Sequence, residues 1–333
     1  MTNGGLSSSL AGKAAILGGG CWIICAACCA VTSFTGQLEL IELLLLFGPL
    51  VAVPGGLSMV VGRQGVDALR GEGLAVRLLL PAALCVIASR WIAPGAPAAA
   101  LAAPWLLVTV LVALLGLQRI IRGGLGPIEE TTVNVGLLYL PVGGGWLVLS
   151  SAGLEPMGFD STIVLLTAVH FHFAGFSAAL VAGFAGRSLK RAGSVADGAR
   201  TPVFAAYRFS ATIVILGPPL VAVGIMASPI VEVISGVALS IGMLTLAFVL
   251  VLIALAVDRL LPKLLLCIAA LSLTATMALS MTYAAGEYGG EELVSIATMA
   301  ATHGVVNVLG FTFCGGLGFI LLLRETGDSA IEG

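Results

Sequence analysis

Three histidines are the residues of this sequence whose chemistry is easiest to interpret. His170, His172 and His303 all fall inside long apolar stretches, where ionisable side chains are rare and mark ligand, proton or metal sites. Imidazole exchanges protons near neutral pH, so the pattern favours acid–base chemistry. Residues two apart on an α-helix point about 200° apart, so His170 and His172 cannot face one site on a regular helix. We expect His170 to face a cavity and His172 to lie beside a ridge of small residues suited to helix packing.

Three further polar residues also lie in apolar stretches of the sequence. Asn307 follows His303 by one helical turn, where its amide would orient the imidazole or bind the same substrate oxygen. Glu42 is expected about two turns inside its helix, where a carboxylate is costly unless it is paired or protonated. It is therefore either a general acid or a carboxylate that reaches back to the membrane surface. Tyr139 lies midway along another apolar stretch.

These residues lead to three functional hypotheses. The leading one is a membrane-embedded enzyme that acts on a lipophilic substrate, such as an isoprenoid or polyketide-like chain, with cyclisation or isomerisation favoured. In it, Glu42 or protonated His170 donates a proton, while His303 and Asn307 hold the substrate or remove a proton. The alternative is a proton-coupled transporter or binding protein for a small solute. The third is a metal or b-type haem protein with His170 and His303 as ligands. A purely structural role of the histidines also stays open, in which they only form hydrogen bonds to neighbouring helices.

Several features exclude other functions. No cofactor is predicted, apart from the metal or haem of the third hypothesis. ATP-driven transport and zincin-type proteolysis lack their motifs, because no Walker-type loop, no G-x-G-x-x-G after a strand and no H-E-x-x-H occurs. The lysines are Lys13, Lys190 and Lys263, all at predicted helix ends, so no buried lysine can hold a retinal. A net charge of -2 and the lack of a basic run argue against nucleic acid as a partner.

The elements that must position these residues are transmembrane helices. Hydrophobic residues make up 59% of the chain and charged residues 10%, which is far too few charges for a water-soluble surface. The sequence therefore predicts one all-α integral membrane domain over residues 1–333, a bundle of about ten spanning helices in contact with the lipid bilayer of the cell membrane. The predicted helices are 13–33, 38–62, 75–92, 97–120, 131–151, 162–186, 204–226, 229–256, 262–285 and 293–323.

Basic residues support this count of helices. Short loops that carry Lys and Arg stay in the cytoplasm, and with ten spans fourteen of the fifteen basic residues fall on one side. Only Arg90 falls on the other. This segregation predicts that both termini are cytoplasmic, and it places the three histidines roughly 12 to 15 Å deep, near the midplane.

Three segments resemble the YndJ-like membrane proteins. They are Gly136 to Gly143, Leu166 to Phe176, and His303 to Phe311, of which the His-Phe-His-Phe-Ala-Gly-Phe run is the most specific. The likeness runs from about Arg119 to the end, while the first three helices match only in hydrophobicity. The resemblance implies a membrane fold and marks Tyr139, His170, His172, His303 and Asn307 as motif positions. It implies no particular reaction.

Overall fold

The computed structural model describes residues 3–31, 37–61, 71–191 and 201–328. These residues are helical apart from short connections, and no strand occurs among them. The α-helices are α1 (Asn3–Val31), α2 (Gln37–Phe47), α3 (Val53–Val60), α4 (Glu72–Arg90), α5 (Ala96–Gly123), α6 (Ile128–Ala152), α7 (Ser161–His170), α8 (Ala178–Arg191), α9 (Pro202–Ala227), α10 (Pro229–Leu255), α11 (Leu260–Gly289), α12 (Ile296–Met299) and α13 (Cys314–Asp328).

Within the described parts of the chain, four π-helical segments interrupt this series. They are π1 (Gly48–Ala52), π2 (Phe171–Ser177), π3 (Ala300–Gly304) and π4 (Val306–Phe313). Each lies between or beside α-helices without a break, so that α2, π1 and α3 form one span, α7, π2 and α8 a second, and α12 to α13 a third. The π-helix is rare and is found disproportionately at functional sites.

Over the described residues, ten helices are long and apolar enough to cross a membrane. The predicted count and the all-α class are therefore confirmed, while the cytoplasmic placement of both termini stays a prediction. Helical structure is what lipid demands, because a spanning backbone must satisfy its own N–H and C=O groups. Several helices begin earlier than predicted, as α1 does at Asn3 and α6 at Ile128, whereas the tenth span begins later, at Ile296 instead of residue 293. Polar residues mark the edge of the apolar stretch, but the backbone hydrogen bonding continues through them.

Side chains near the helix starts explain several of these boundaries. Asp160 precedes α7 and accepts hydrogen bonds from the backbone N–H groups of Thr162 and Ile163 at 2.8 and 3.0 Å. Thr201 and Ser295 cap α9 and α12 in the same way. Such caps satisfy N–H groups that have no partner within the first helical turn.

The chain forms two compact units. Unit 1 comprises Met1–Gly124 with Asn134–Ser177, and unit 2 comprises Leu125–Val133 with Ala178–Gly333. Helix α6 therefore starts in unit 2 and continues in unit 1, and the α7–π2–α8 span passes from unit 1 to unit 2 after Ser177. The prediction of a single domain stays a prediction.

The core of unit 1 forms where α5 and α6 approach closely. Trp105, Leu137 and Phe176 are completely buried there. A Cβ atom at Gly116 of α5 would lie 2.8 Å from the backbone oxygen of Asn134 and 2.9 Å from the Cβ of Leu137. A glycine at this position lets the two backbones come together, as small residues do in membrane helix pairs.

The core of unit 2 includes α8, α9 and the start of α6. Tyr207 of α9 is completely buried, and its ring occupies the space beside Gly186 of α8 that a Cβ atom would need. The Cβ of Glu129 lies 2.7 Å from the same position. The packing of these three segments thus depends on the missing side chain of Gly186.

Replacing Gly186 by alanine should consequently destabilise the protein. The new methyl group would meet Tyr207 and Glu129, and overpacking of this kind typically costs about 1–3 kcal/mol. The free energy of unfolding, measured by titrating mixed micelles with a denaturing detergent, should fall by that amount for Gly186→Ala. Gly316→Ala in α13 is the matched control, because no atom lies within 4 Å of its added Cβ. Equal stability of the two variants would contradict the packing described for Gly186.

Candidate functional site

His172 is a fully buried histidine with both ring nitrogens occupied. Its side chain is 0% exposed. Nδ1 lies 2.7 Å from the Ala168 oxygen, and the indole N–H of Trp105 donates to Nε2 at 3.0 Å. Because a carbonyl oxygen can only accept, Nδ1 carries the hydrogen and Nε2 supplies the lone pair. This arrangement leaves no ring nitrogen for a substrate.

Two glycines allow other helices to close on this imidazole. A Cβ atom at Gly48 of π1 would lie 3.1 Å from Cδ2 of His172, and one at Gly143 of α6 would lie 2.7 Å from Nδ1. The hydroxyl of Ser177 donates to the backbone oxygen of His172 at 2.9 Å. With Trp105 from α5 and the π2 segment that carries it, four segments of unit 1 therefore meet at His172. This geometry favours a packing role for His172, which the sequence left open.

His170 lies on the opposite side of the same helix. Its side chain is exposed, and Nδ1 donates to the Leu166 oxygen at 2.7 Å. Among the residues that the structure describes, Nε2 of His170 has no hydrogen-bond partner. The two histidines thus face apart, as the 200° separation of residues i and i+2 requires. His170 presents a lone pair that is not used by the fold.

Tyr139 packs against the π2 segment from α6. Its ring meets Phe171 edge-on at a centroid distance of 6.1 Å and an angle of 65°. A Cβ atom at Gly175 would lie 3.1 Å from the Cβ of Tyr139. Tyr139 is half-buried. This motif residue therefore forms part of the surface of α6 against which π2 packs. Sequence reasoning missed this segment, because π and α turns use the same residues and nearly the same dihedral angles.

His303 and Asn307 meet a shared residue of α11 within unit 2. Nδ1 of His303 lies 3.0 Å from the Thr276 oxygen, and the hydroxyl of Thr276 donates to Oδ1 of Asn307 at 3.0 Å. Ser280 Oγ is 3.1 Å from the same Nδ1. The carbonyl forces Nδ1 to be the donor, so Ser280 does not pass its proton to His303 and the pair is not a serine nucleophile with its base.

Glu42 forms an ion pair that the sequence did not reveal. Its Oε1 lies 2.5 Å from a terminal nitrogen of Arg90 at the end of α4. The other terminal nitrogen of Arg90 lies 3.4 Å from both Ser150 Oγ and Ser151 Oγ. In the sequence, Arg90 is the one basic residue on the predicted outer side. An isolated positive charge at such a position indicates that an acidic side chain lies nearby. The paired carboxylate fits the second sequence interpretation, a group near the membrane surface, better than a resting general acid.

A second set of ion pairs lies within unit 2. Arg187 of α8 donates through two nitrogens to both carboxylate oxygens of Glu130, at 2.6 Å each. Lys190, one turn further along, pairs with Glu129, and the guanidinium of Arg187 also lies 4.7 Å from the ring centre of Phe184. Bidentate pairs of this kind are the strongest ionic contacts in proteins. They fix the end of α8 against the start of α6.

The metal hypothesis requires a cluster of side chains that can bind a metal ion. Within residues 3–31, 37–61, 71–191 and 201–328, no group of three or more His, Cys, Asp or Glu side chains is arranged to hold a metal ion. His170 lies in unit 1 and His303 in unit 2. Haem ligation by these histidines stays a prediction.

Comparison with known proteins gives one family. A profile described as YndJ-like protein matches residues 43–311. The chain belongs to the YndJ-like family. It is 33% identical over 207 residues to the Bacillus subtilis (strain 168) protein named Uncharacterized membrane protein YndJ, an alignment that covers 62% of this chain and 35% of that relative. The chain thus matches about a third of the relative's length, and no solved structure matches.

Membership extends the sequence resemblance to most of the chain. The match begins at residue 43, within α2, and so includes helices that resembled the family only in hydrophobicity. Together with the ten spanning helices, it identifies a multi-pass membrane protein. The relative's printed name states no reaction, so the chemistry of the YndJ-like site must be argued from the residues themselves.

The hydrogen bond between Trp105 and His172 should stabilise the YndJ-like fold measurably. Trp105→Phe removes the donor and leaves Nε2 buried without a partner, which should cost about 0.5–2 kcal/mol, the range of interhelical hydrogen bonds in membranes and of unsatisfied buried groups. The free energy of unfolding in mixed micelles measures the loss. Trp146→Phe is the control, because Trp146 contacts Phe159 through its ring.

A double-mutant cycle separates this bond from the lost ring volume. In a His172→Phe background, Trp105→Phe should cost less than it does in the native protein, because no acceptor remains to be left unpaired. An identical cost in both backgrounds would show that the bond contributes nothing.

Proposed function

We propose that this protein is a membrane-embedded enzyme that acts on a lipophilic substrate by acid–base chemistry, with Nε2 of His170 as the base. The observation that carries the proposal is the contrast between the two neighbouring histidines. His172 uses both ring nitrogens inside the fold, whereas His170 is exposed and uses only Nδ1.

The bond from His170 to Leu166 supports a catalytic role. A histidine base works best when its far nitrogen is held by a hydrogen bond, which fixes the tautomer and the ring orientation. Nδ1 of His170 donates at 2.7 Å to a carbonyl, so the lone pair of Nε2 is presented away from the helix. An exposed imidazole within a span of 31 residues, Ser161–Arg191, is reached by molecules that dissolve in the membrane.

The class of reaction follows from what the site offers. A single oriented base can remove a proton from one carbon atom and, as the imidazolium, return it to another, so isomerisation of an isoprenoid or polyketide-like chain balances without a redox partner. Cyclisation started by protonation would need a separate acid. An apolar setting also protects a reactive intermediate from water. The acid that would complete the cycle is not assigned, because Glu42 is held by Arg90.

Proton-coupled transport is the second candidate. The π1, π2 and π3–π4 segments distort three of the ten spans, and irregular helices are common where transporters bind their substrates. In that case His170 would take up and release protons rather than act on a carbon atom.

His170→Ala should abolish the activity and leave the fold intact. Vesicles that contain the purified protein are incubated with a total lipid extract, and the lipids are compared by mass spectrometry with those from empty vesicles. We expect new or depleted lipid species with the wild type, and a fall in their rate of formation of about 10²–10⁴-fold in His170→Ala. Thr167→Ala, which removes a side chain one turn away, serves as the control.

The same vesicles distinguish the two candidates. Lipid profiles that do not differ between the wild type and empty vesicles would argue against the enzyme. Proton uptake driven by a solute and lost in His170→Ala would then favour transport.

A further inference from the structure

A cavity of about 120 Å³ lies at the Arg90 end of α4 in unit 1. Its charged lining consists of Glu42 and Arg90, and its walls are formed by the thiol side chains of Cys25 and Cys29 and by Leu43, Leu46 and Trp91. Cavities of about 150 Å³ accommodate a molecule as large as benzene. The space therefore suits a small polar headgroup with its first few carbons.

One terminal nitrogen of Arg90, which lines this cavity, has only distant acceptors. Its side chain is only 9% exposed, so its donors depend on nearby acceptor atoms rather than on bulk water. One terminal nitrogen bonds Glu42 at 2.5 Å, but the contacts of the other with Ser150 and Ser151 are 3.4 Å long, beyond the usual range for N–H···O bonds. A buried charged donor without an acceptor is costly, so an arriving oxygen atom would be favoured.

Glu42 determines the charge that such a ligand can carry. The ion pair is neutral as a whole, so a charged headgroup of either sign gains little net Coulomb attraction from it and would still lose its hydration. A hydroxyl group satisfies both sides, because it accepts from Arg90 and donates to Glu42, whose side chain is 30% exposed. The pair is complementary to a neutral oxygen that both donates and accepts.

The surroundings indicate that the rest of the ligand is apolar. Trp91 lines the cavity and is 71% exposed, and tryptophan at the end of a membrane helix is typical of the level of the lipid headgroups. A chain too long for the cavity would leave it beside Trp91 and enter the lipid. The polar end would remain with Arg90.

We propose that this cavity binds the hydroxyl headgroup of a lipophilic alcohol through the paired side chains of Arg90 and Glu42. The proposal concerns binding and stands whether or not His170 is a catalytic base. It adds a site that recognises the neutral polar end of a lipid-like molecule.

Photoaffinity labelling of the full chain in phosphatidylcholine vesicles tests the proposal. The probes are a twelve-carbon alcohol and the matching carboxylic acid, each carrying a diazirine beside the headgroup, and unlabelled dodecan-1-ol is the competitor. We expect the alcohol to label the segment around Trp91 about tenfold more than the carboxylate, and the competitor to suppress this label. Equal labelling by the two probes, or labelling that dodecan-1-ol does not reduce, would overturn the proposal.

Two variants test the roles of the charges. Glu42→Gln leaves the positive charge of Arg90 without its carboxylate, so the preference should reverse and the carboxylate probe should label more strongly than the alcohol. Arg90→Gln should reduce labelling by both probes about tenfold. Glu155→Gln is the matched control, because it removes an exposed carboxylate that does not line the cavity.

A reversed preference cannot result from misfolding, which would lower labelling by both probes alike. An unchanged preference in Glu42→Gln, with wild-type thermal stability, would contradict the assignment of Glu42. The comparison of the alcohol and carboxylate probes on the wild-type protein needs no variant. It therefore still tests the proposal if either variant misfolds.

Discussion

The hydrogen bond from Trp105 to His172 is the contact around which unit 1 is organised. Both groups are 0% exposed, and in a water-free interior an unpaired indole or imidazole nitrogen would cost about 1–3 kcal/mol. The bond therefore requires α5 and π2 to keep one relative position. Gly48 and Gly143 give other segments access to the same ring, so the packing of several helices depends on where this imidazole lies.

The same constraint explains where the charged residues are found. Glu42 pairs with Arg90, Glu130 with Arg187 and Glu129 with Lys190, and Nε of Arg119 donates to the Asn134 side chain at 2.6 Å. Charges in or near lipid are tolerated when they are paired. These pairs connect residues far apart in the chain, and they hold helix ends together within each unit.

Against this background His170 differs from His172, whose two ring nitrogens are both bonded within the fold. Its Nδ1 is held by a local carbonyl, while Nε2 is left to the surroundings. An unpaired polar group is costly in a membrane. A side chain that keeps one nitrogen unpaired is therefore explained more readily by a function than by a role in the fold. The same reasoning applies to Arg90 elsewhere in unit 1, because an oxygen atom of a ligand would give its weakly bonded nitrogen a better partner.

The two proposed sites have different structural requirements. An acid–base reaction needs an oriented lone pair, which a single backbone contact provides at His170. Recognition of a hydroxyl group needs a donor and an acceptor side by side, which requires α2 and the end of α4 to meet. The second arrangement is consequently a property of the helix packing, whereas the first is largely a property of one helix.

The sequence by itself determined the class of the protein, the ten spans and the opposed faces of His170 and His172. These follow from hydrophobicity, from the period of the α-helix and from the scarcity of charge, which are local properties of the chain. The partners of those residues were decided only by the tertiary structure. Trp105 beside His172, Arg90 beside Glu42 and the π-helical segments depend on how helices distant in sequence pack, and hydrophobic periodicity carries no information about which neighbour a buried polar atom will meet.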